Sequence, residues 1–276
     1  MHSISEGAPI GVFDSGVGGL TVAAEIMRQL PNERMVYFGD TARVPYGSKS
    51  KDTIIKFSRQ IIRYLQTRDI KAIVVACNTA SALALDEVKK ELDIPIIGVI
   101  EPGAKIAAES SRNGRIGIIG TEGTINSHIH THLIKQLKPS FEVTEKACPL
   151  LVPLVEEGFF LDTPVAEEIV RSYLEIMKQR SVDTLILGCT HYPFLRDVIA
   201  KVMGENVELV NPAYETAREL SVLLSELGIA NTVPLTDKEN KYVFCVSDEV
   251  EKLYQFAADR FPFPVMDALQ INIEEY

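Results

Sequence analysis

Residues 73–79 read Ile-Val-Val-Ala-Cys-Asn-Thr, and this stretch decides the fold class. Four apolar residues are followed at once by a cysteine and two polar residues, a pattern typical of a buried strand that leads into a helix. Residues 185–191, Leu-Ile-Leu-Gly-Cys-Thr-His, repeat this pattern later in the chain. A weaker repeat pairs residues 10–15 with residues 115–121, each an apolar run that ends in hydroxyl-bearing residues. The sequence therefore predicts two related halves.

Short apolar runs alternate with longer segments of helical period along the whole chain, which is the pattern of parallel strands covered by crossover helices. Residues 51–68 show the helical period clearly, with Ile54, Ile61 and Leu65 on one side. We predict an α/β fold with two pseudo-symmetric lobes, whose mainly parallel sheets face a central cleft. The predicted strands are 10–14, 35–39, 72–76, 94–99, 115–120, 142–147, 184–188, 207–210 and 242–246.

The two repeats also suggest where the lobes divide. We predict that residues 1–98 together with 212–276 form the lobe that carries Cys77, and that residues 99–211 form the lobe that carries Cys189. Ligands of open α/β sheets bind beyond the carboxyl ends of the strands. Two such lobes face to face would place these cysteines on opposite sides of one cleft.

Composition excludes several classes of function. The formal net charge of −10, from 38 acidic against 28 basic residues, opposes binding to a polyanion, and no Lys/Arg stripe is present, so we expect no nucleic-acid partner. Residues 1–9 lack the pattern of a signal peptide, and no apolar stretch reaches the roughly 18 residues of a membrane span. We expect a cytoplasmic enzyme that does not bind membranes.

The four cysteines have no C-x-x-C spacing, which argues against both a disulfide framework and a zinc site. Cys77 and Cys189 each stand where a strand ends and a helix begins, and the helix dipole favours a thiolate there. The alternative is that each is a small core residue. The polar residues that follow both favour a functional role, whereas Cys148 and Cys245 lack this setting and are interpreted as packing residues.

Two polar loops follow the first strands. Residues 13–20, Phe-Asp-Ser-Gly-Val-Gly-Gly-Leu, form a glycine-rich turn whose N–H groups suit a small carboxylate, although a tight turn capped by Ser or Asp is the alternative. The spacing matches no nucleotide-binding motif. Residues 40–48 are rich in hydrogen-bonding groups and would hold a ligand or merely connect two elements.

Three further residues could tune the thiols. His191 is near Cys189 in sequence, and Asp14 could act likewise across from Cys77, although either could instead be satisfied by the backbone. Glu156 is a candidate cleft carboxylate or part of a solvated turn. His128, His130 and His132 alternate in a predicted helix without other ligands at metal spacing, so we interpret them as an exposed polar face and expect no metal site.

Five segments, taken in their order along the chain, closely resemble the signature segments of bacterial glutamate racemases. The matching segments are 13–20, Pro45-Tyr46-Gly47, Cys77-Asn78-Thr79, Gly120-Thr121 with Thr124, and 187–193. The resemblance implies cofactor-independent interconversion of L- and D-glutamate, which supplies D-glutamate for peptidoglycan, and a homodimer.

The resemblance also implies a role for each matching residue. Cys77 would act on the D-enantiomer and Cys189 on the L-enantiomer. Asp14 and His191 would assist the thiols, with Glu156 as a further auxiliary. The implied substrate contacts are Asp14, Ser15, Tyr46, Gly47, Asn78, Thr79, Thr121, Thr190 and His191.

The chemistry is consistent with two opposed thiols. Removing the Cα proton of an amino acid builds negative charge that only positioned donors can stabilise when no pyridoxal cofactor is present. No lysine lies in the motifs to form a Schiff base, so we expect no cofactor. Three alternatives remain open: an aspartate or hydantoin racemase of the same superfamily, a two-lobed small-molecule binding protein, and a cysteine hydrolase, which would leave one cysteine without a role.

Overall fold

The computed structural model describes residues 5–158, 163–235, 241–261, 263, 265 and 267–276. Ten strands and twelve α-helices lie within these residues. The strands are β1 (Ile10–Asp14), β2 (Met35–Gly39), β3 (Ala72–Val75), β4 (Ile96–Gly98), β5 (Arg115–Gly120), β6 (Glu142–Ala147), β7 (Thr184–Gly188), β8 (Glu208–Val210), β9 (Tyr242–Val246) and β10 (Leu269–Gln270). The helices are α1 (Leu20–Gln29), α2 (Lys51–Gln66), α3 (Asn78–Leu83), α4 (Leu85–Lys89), α5 (Ile100–Ser110), α6 (Glu122–Asn126), α7 (Ile129–Leu137), α8 (Leu151–Glu157), α9 (Pro164–Gln179), α10 (Arg196–Met203), α11 (Pro212–Glu226) and α12 (Val250–Arg260).

The strands form two separate sheets. The first has the order β10-β9-β2-β1-β3-β4, the second has the order β6-β5-β7-β8, and the neighbouring strands in both are parallel. The predicted α/β fold with mainly parallel sheets is confirmed. All nine predicted strands are present with small shifts at their ends, whereas β10 was not predicted because it has two residues and both are exposed.

The first sheet is built from residues 10–98 and 242–270, and the second from residues 115–210. Helix α11 packs on α1, next to the first sheet, while α5 packs on α7 and β7 of the second. Helices α5 and α11 also pack on each other and thereby connect the two halves. The exact lobe limits of 1–98 with 212–276, and of 99–211, stay a prediction.

Helix α2 shows why these segments adopt their elements. Ser50 precedes the helix and its hydroxyl accepts a hydrogen bond from the N–H of Thr53 (3.3 Å), which satisfies one of the free donors at the helix start. The apolar side predicted from the spacing is buried at Ile54, Ile61 and Leu65. Burial of each such side chain stabilises the fold by about 1.5–3 kcal/mol.

One sequence-based interpretation is wrong. His128 and His132 are exposed, but His130 is buried beside Gly188, and burial lowers the pKa of His130 to about 4. The physical reason is that residues two positions apart point to nearly opposite sides of a helix, so the three histidines cannot share one face. Helix α7 itself begins only at Ile129, after a left-handed residue at His128.

Candidate active site

The carboxyl ends of strands from both sheets meet at one small cavity. Cys77 follows β3 of the first sheet, and Cys189 follows β7 of the second. The residues that line this cavity are Ser15, Val44, Pro45, Tyr46, Gly47, Cys77, Asn78, Thr79, Thr121, Val152, Cys189, Thr190 and His191. Among the residues that the sequence singled out for the site, Asp14 and Glu156 are absent from this lining. Asp14 is fully buried, and Glu156 lines two neighbouring pockets.

Cys77 caps the start of helix α3. Its Sγ accepts a hydrogen bond from the N–H of Ala80 at 3.4 Å, which is the contact expected at a helix N-terminus. Burial, together with the negative charge of Asp14, nevertheless raises the pKa of Cys77 to about 12. The predicted preference for a thiolate is therefore wrong for Cys77, because desolvation outweighs the helix dipole. At neutral pH this residue is a thiol.

Cys189 begins a chain of polar contacts. Its Sγ lies 3.8 Å from Nδ1 of His191, whose Nε2 lies 3.1 Å from Oε1 of Glu156. The second oxygen of Glu156 accepts a hydrogen bond from Nζ of Lys252 at 3.1 Å. Burial by itself lowers the pKa of His191, but its bonds to Cys189 and Glu156 outweigh burial and raise the pKa to about 10. Burial raises the pKa of Glu156, yet its bonds to His191 and Lys252 lower it to about 2. A charged imidazolium therefore faces the Cys189 sulfur.

Asp14 connects the two halves beneath the cavity. Its carboxylate accepts hydrogen bonds from the N–H of Gly16 (3.0 Å) and from the hydroxyl of Thr190 (3.4 Å), which lies after β7. Burial raises the pKa of Asp14, and the positive charge of His191 partly offsets this effect. The charge of Asp14 also acts on Cys77, so this carboxylate influences one thiol directly and the His191 ring beside the other.

Hydroxyl groups from both sheets form a second connection. The hydroxyl oxygen of Thr79 lies 2.8 Å from that of Thr121 and 3.3 Å from that of Thr124, and the last two are 3.1 Å apart. Gly47 packs against the Thr121 side chain, where an added Cβ would lie 2.5 Å from the Cβ of Thr121, and its carbonyl accepts a hydrogen bond from the N–H of Gly123. Only glycine fits at position 47.

Two polar side chains at the cavity, those of Asn78 and Tyr46, differ in their hydrogen bonds. The amide oxygen of Asn78 is buried without a hydrogen-bond partner among the described residues, so it is available to a donor on a ligand. The hydroxyl of Tyr46 instead donates to the buried carboxylate of Asp40, which also accepts from Ser247 (2.9 Å). Tyr46 therefore offers the cavity its ring and backbone rather than a free hydroxyl.

Sequence reasoning missed Asp40, Ser247 and Lys252. Asp40 had a signal, because it directly follows β2 as Asp14 ends β1. Ser247 had the same signal, because it directly follows β9. Lys252 had none, since it lies on α12 and reaches the site only through the arrangement of the first sheet. Cys148 and Cys245 are buried, in agreement with the packing role that was predicted for them.

Two kinds of feature are absent from the described part of the chain. No three or more His, Cys, Asp or Glu side chains are grouped there so that they could hold a metal ion. None of the helices within the ranges given above is both long and apolar enough to span a membrane.

Comparison with known proteins agrees with this geometry. The family model for Asp/Glu/hydantoin racemases matches residues 10–220, which include both cysteines. The chain belongs to this family. As a member of the family, this racemase is an enzyme. One curated relative is the glutamate racemase of Geobacter metallireducens, which is 53% identical over 239 residues that cover 87% of each chain.

Solved structures give the same relationship. Glutamate racemase isoform RacE1 from Bacillus anthracis is similar at a TM-score of 0.92 and 40% identity, covering 97% of this chain and 98% of that one. The glutamate racemase from Francisella tularensis, solved in complex with D-glutamate, is similar at a TM-score of 0.89 and 38% identity, covering 98% and 100%. The family suggested by the sequence motifs is therefore confirmed.

Proposed function

We propose that this racemase interconverts L- and D-glutamate by a two-base reaction at Cα in which Cys77 and Cys189 are the two bases. The observation that carries the proposal is that these cysteines follow strands of different sheets and line one cavity. The names of the relatives support glutamate as the substrate, and so does the D-glutamate complex of the Francisella protein.

The contacts described above suit the L to D direction. Cys189, beside the positively charged His191, takes the Cα proton of L-glutamate as a thiolate. Cys77, a thiol because of its raised pKa, delivers its own proton to the opposite face. The Cα–H bond of one face is thus replaced by a Cα–H bond on the other, and Cys77 is left as the thiolate. The D to L direction uses the same groups with their roles exchanged.

Among the described residues that line the cavity, none is an arginine or a lysine that could bind the carboxylates of the substrate. We infer that backbone N–H groups at the starts of α3 and α6, with the hydroxyls of Ser15, Thr79, Thr121 and Thr190, anchor them. The unpartnered amide oxygen of Asn78 suits the substrate ammonium group. Gly47 and the ring of Tyr46 shape the cavity wall, and Asp14, His191 and Glu156 hold and tune the thiols.

The remaining parts of the proposal follow from the resemblance. The racemase uses neither pyridoxal phosphate nor a metal, works in the cytoplasm as a homodimer, and supplies D-glutamate for peptidoglycan. Activity is expected to persist after exhaustive treatment with hydroxylamine and EDTA. Activity that is lost and then restored by either pyridoxal phosphate or a metal would overturn this part.

The deciding experiment follows the racemisation of L-glutamate by circular dichroism and the label at Cα by proton NMR in heavy water. Two bases predict that early product carries deuterium while unreacted substrate does not. Rapid early deuteration of the starting enantiomer would contradict the proposal. Aspartate and hydantoin are assayed in parallel, because faster turnover of either would replace glutamate as the substrate.

Cysteine variants test the assignment of the two bases. Cys77→Ala and Cys189→Ala should each abolish racemisation, while glutamate binding measured by titration weakens much less. Cys148→Ala is the matched control, since Cys148 is equally buried but does not line the cavity. Substantial racemisation by either of the first two variants would exclude the two-thiol mechanism.

A further inference from the structure

The strongest unassigned feature is the end of the contact chain that begins at Cys189. Lys252 lies on α12, in the C-terminal part of the chain that follows β9 of the first sheet, whereas Cys189 and His191 follow β7 of the second. Nζ of Lys252 lies 3.1 Å from Oε2 of Glu156, and Oε1 of the same carboxylate lies 3.1 Å from His191. One carboxylate therefore joins an ammonium group and an imidazole that come from different halves of the protein.

Resting on the function proposed above, we propose that Lys252 is a positioning residue for the reaction, which holds the Glu156 carboxylate against His191 and thereby keeps the imidazolium directed at Cys189. Lys252 touches neither thiol. It acts only through Glu156, in the way that outer residues orient the groups they support.

The surroundings of Glu156 explain why a second contact is needed. Its side chain is 15% exposed and borders a wide pocket between α8 and α12, so one hydrogen bond to His191 leaves the carboxylate free to turn outward. Lys252 bonds the oxygen that His191 does not use. With both oxygens engaged, the carboxylate has one favoured orientation.

Other charged groups lie near this contact. Glu249 lies 3.8 Å from Lys252, and Glu157 adds a further negative charge beside it. The negative charge of Asp14 also acts on His191, and Arg260 of α12 donates to the carbonyl of Val155 on α8 (3.4 Å). Among the contacts described, Lys252 is the cation that reaches Glu156 directly besides His191 itself. Removing it should therefore release the carboxylate.

The first test is independent of turnover. In the full-length protein labelled with ¹⁵N-histidine, the His191 ring is assigned by comparison with His191→Asn, and its titration is followed by NMR. Lys252→Met should lower the midpoint of His191 by about one pH unit, because the loss of an oriented carboxylate partner outweighs the removal of the more distant positive charge of Lys252. Lys252→Arg should restore most of the shift. An unchanged His191 midpoint in Lys252→Met would overturn the proposal, whether or not the protein racemises glutamate.

The second test measures kcat/KM for glutamate. Lys252→Met should reduce it about tenfold and move the alkaline limb of its pH profile to lower pH, since that limb reports ionisations of the free enzyme. In a Glu156→Gln background the same change should have less than about a twofold effect, because Lys252 would then have no carboxylate to hold. If Lys252→Met reduced kcat/KM by the same factor in the wild type and in Glu156→Gln, the role of Lys252 would be merely structural. Lys201→Met, which breaks an exposed ion pair with Glu167, is the control and should leave kcat/KM unchanged.

Discussion

Gly18 of the first glycine-rich turn packs directly against His191, which follows β7 of the other sheet. A Cβ added at Gly18 would lie 2.6 Å from two ring atoms of His191 and 2.6 Å from the hydroxyl of Thr190. Real Cβ contacts are not this short, so the histidine would have to move. The glycine therefore allows the two halves to approach at the point where the His191 ring meets Cys189.

This approach makes Gly18→Ala a sensitive probe of the site. We expect a fall in kcat/KM of about 100-fold, because displacing a tuning group by about 1 Å costs that much in rate. Far-ultraviolet circular dichroism should remain that of the wild type. Gly7→Ala is the control, since an added Cβ there would make only an ordinary 3.8 Å contact with Ser5. Wild-type activity in Gly18→Ala would show that the His191 position is unimportant.

The ion pair of His191 and Glu156 should make stability depend on pH in a defined window. The pKa of His191 is raised from 6.5 to about 10, so its contribution to stability is complete below pH 6.5 and is lost as the pH rises through 10. The pKa of Glu156 is lowered from 4.5 to about 2, so its contribution is present above pH 4.5 and is lost as the pH falls through 2.

Scanning calorimetry of the wild type and Glu156→Gln at a series of pH values checks this window. The wild type should exceed the variant in Tm by roughly 5 °C between pH 4.5 and 6.5, with a smaller difference on either side. A difference that is the same at pH 5 and near pH 10 would mean that the two groups are not paired.

A comparison of two buried tyrosines measures how much the hydrogen bond to Asp40 contributes to the free energy of unfolding. The hydroxyl of Tyr46 donates to the Asp40 carboxylate, whereas that of Tyr37 donates to the neutral carbonyl of Gly16 (2.7 Å). Tyr46→Phe should lower the free energy of unfolding by about 1.5–3 kcal/mol and Tyr37→Phe by about 0.5–1.5 kcal/mol, since bonds to charged groups are stronger. Urea denaturation without substrate measures both, and an equal loss would contradict the difference.

The hydroxyls of Thr79 and Thr131 differ in their contacts, so removing each of them should change stability differently. Thr79→Val removes the hydroxyl that bonds both Thr121 and Thr124, so we expect a loss of about 1 kcal/mol in stability and a higher KM for glutamate. The hydroxyl of Thr131 is buried and has no hydrogen-bond partner in the described part of the chain, so Thr131→Val should leave stability unchanged or raise it by about 1 kcal/mol. Unfolding midpoints and steady-state kinetics of both variants separate these outcomes. A Thr79→Val protein with wild-type KM would remove the cluster from the substrate site.

The sequence by itself determined the class of fold and most residues of the cavity. Parallel strands that are buried on both faces have continuous apolar sequences, and the residue after such a sequence lies at the carboxyl edge of its sheet. For that reason Cys77, Thr121 and Cys189 could be selected without coordinates. Most of the longer strands were predictable on the same ground, because their apolar runs are local features of the chain. The exception is β6, Glu142–Ala147, an edge strand that has no continuous apolar run.

Tertiary structure alone decided the electrostatics and the contacts between halves. The raised pKa of Cys77 depends on how completely it is buried, which no local pattern reports. His130 is buried because of the way α7 packs, although the two histidines near it in sequence, His128 and His132, are exposed. Lys252 reaches Glu156 only because β9 joins the first sheet beside β2 and α12 follows it. Desolvation and long-range pairing are properties of the packed chain, so they became visible only when the two sheets were in place.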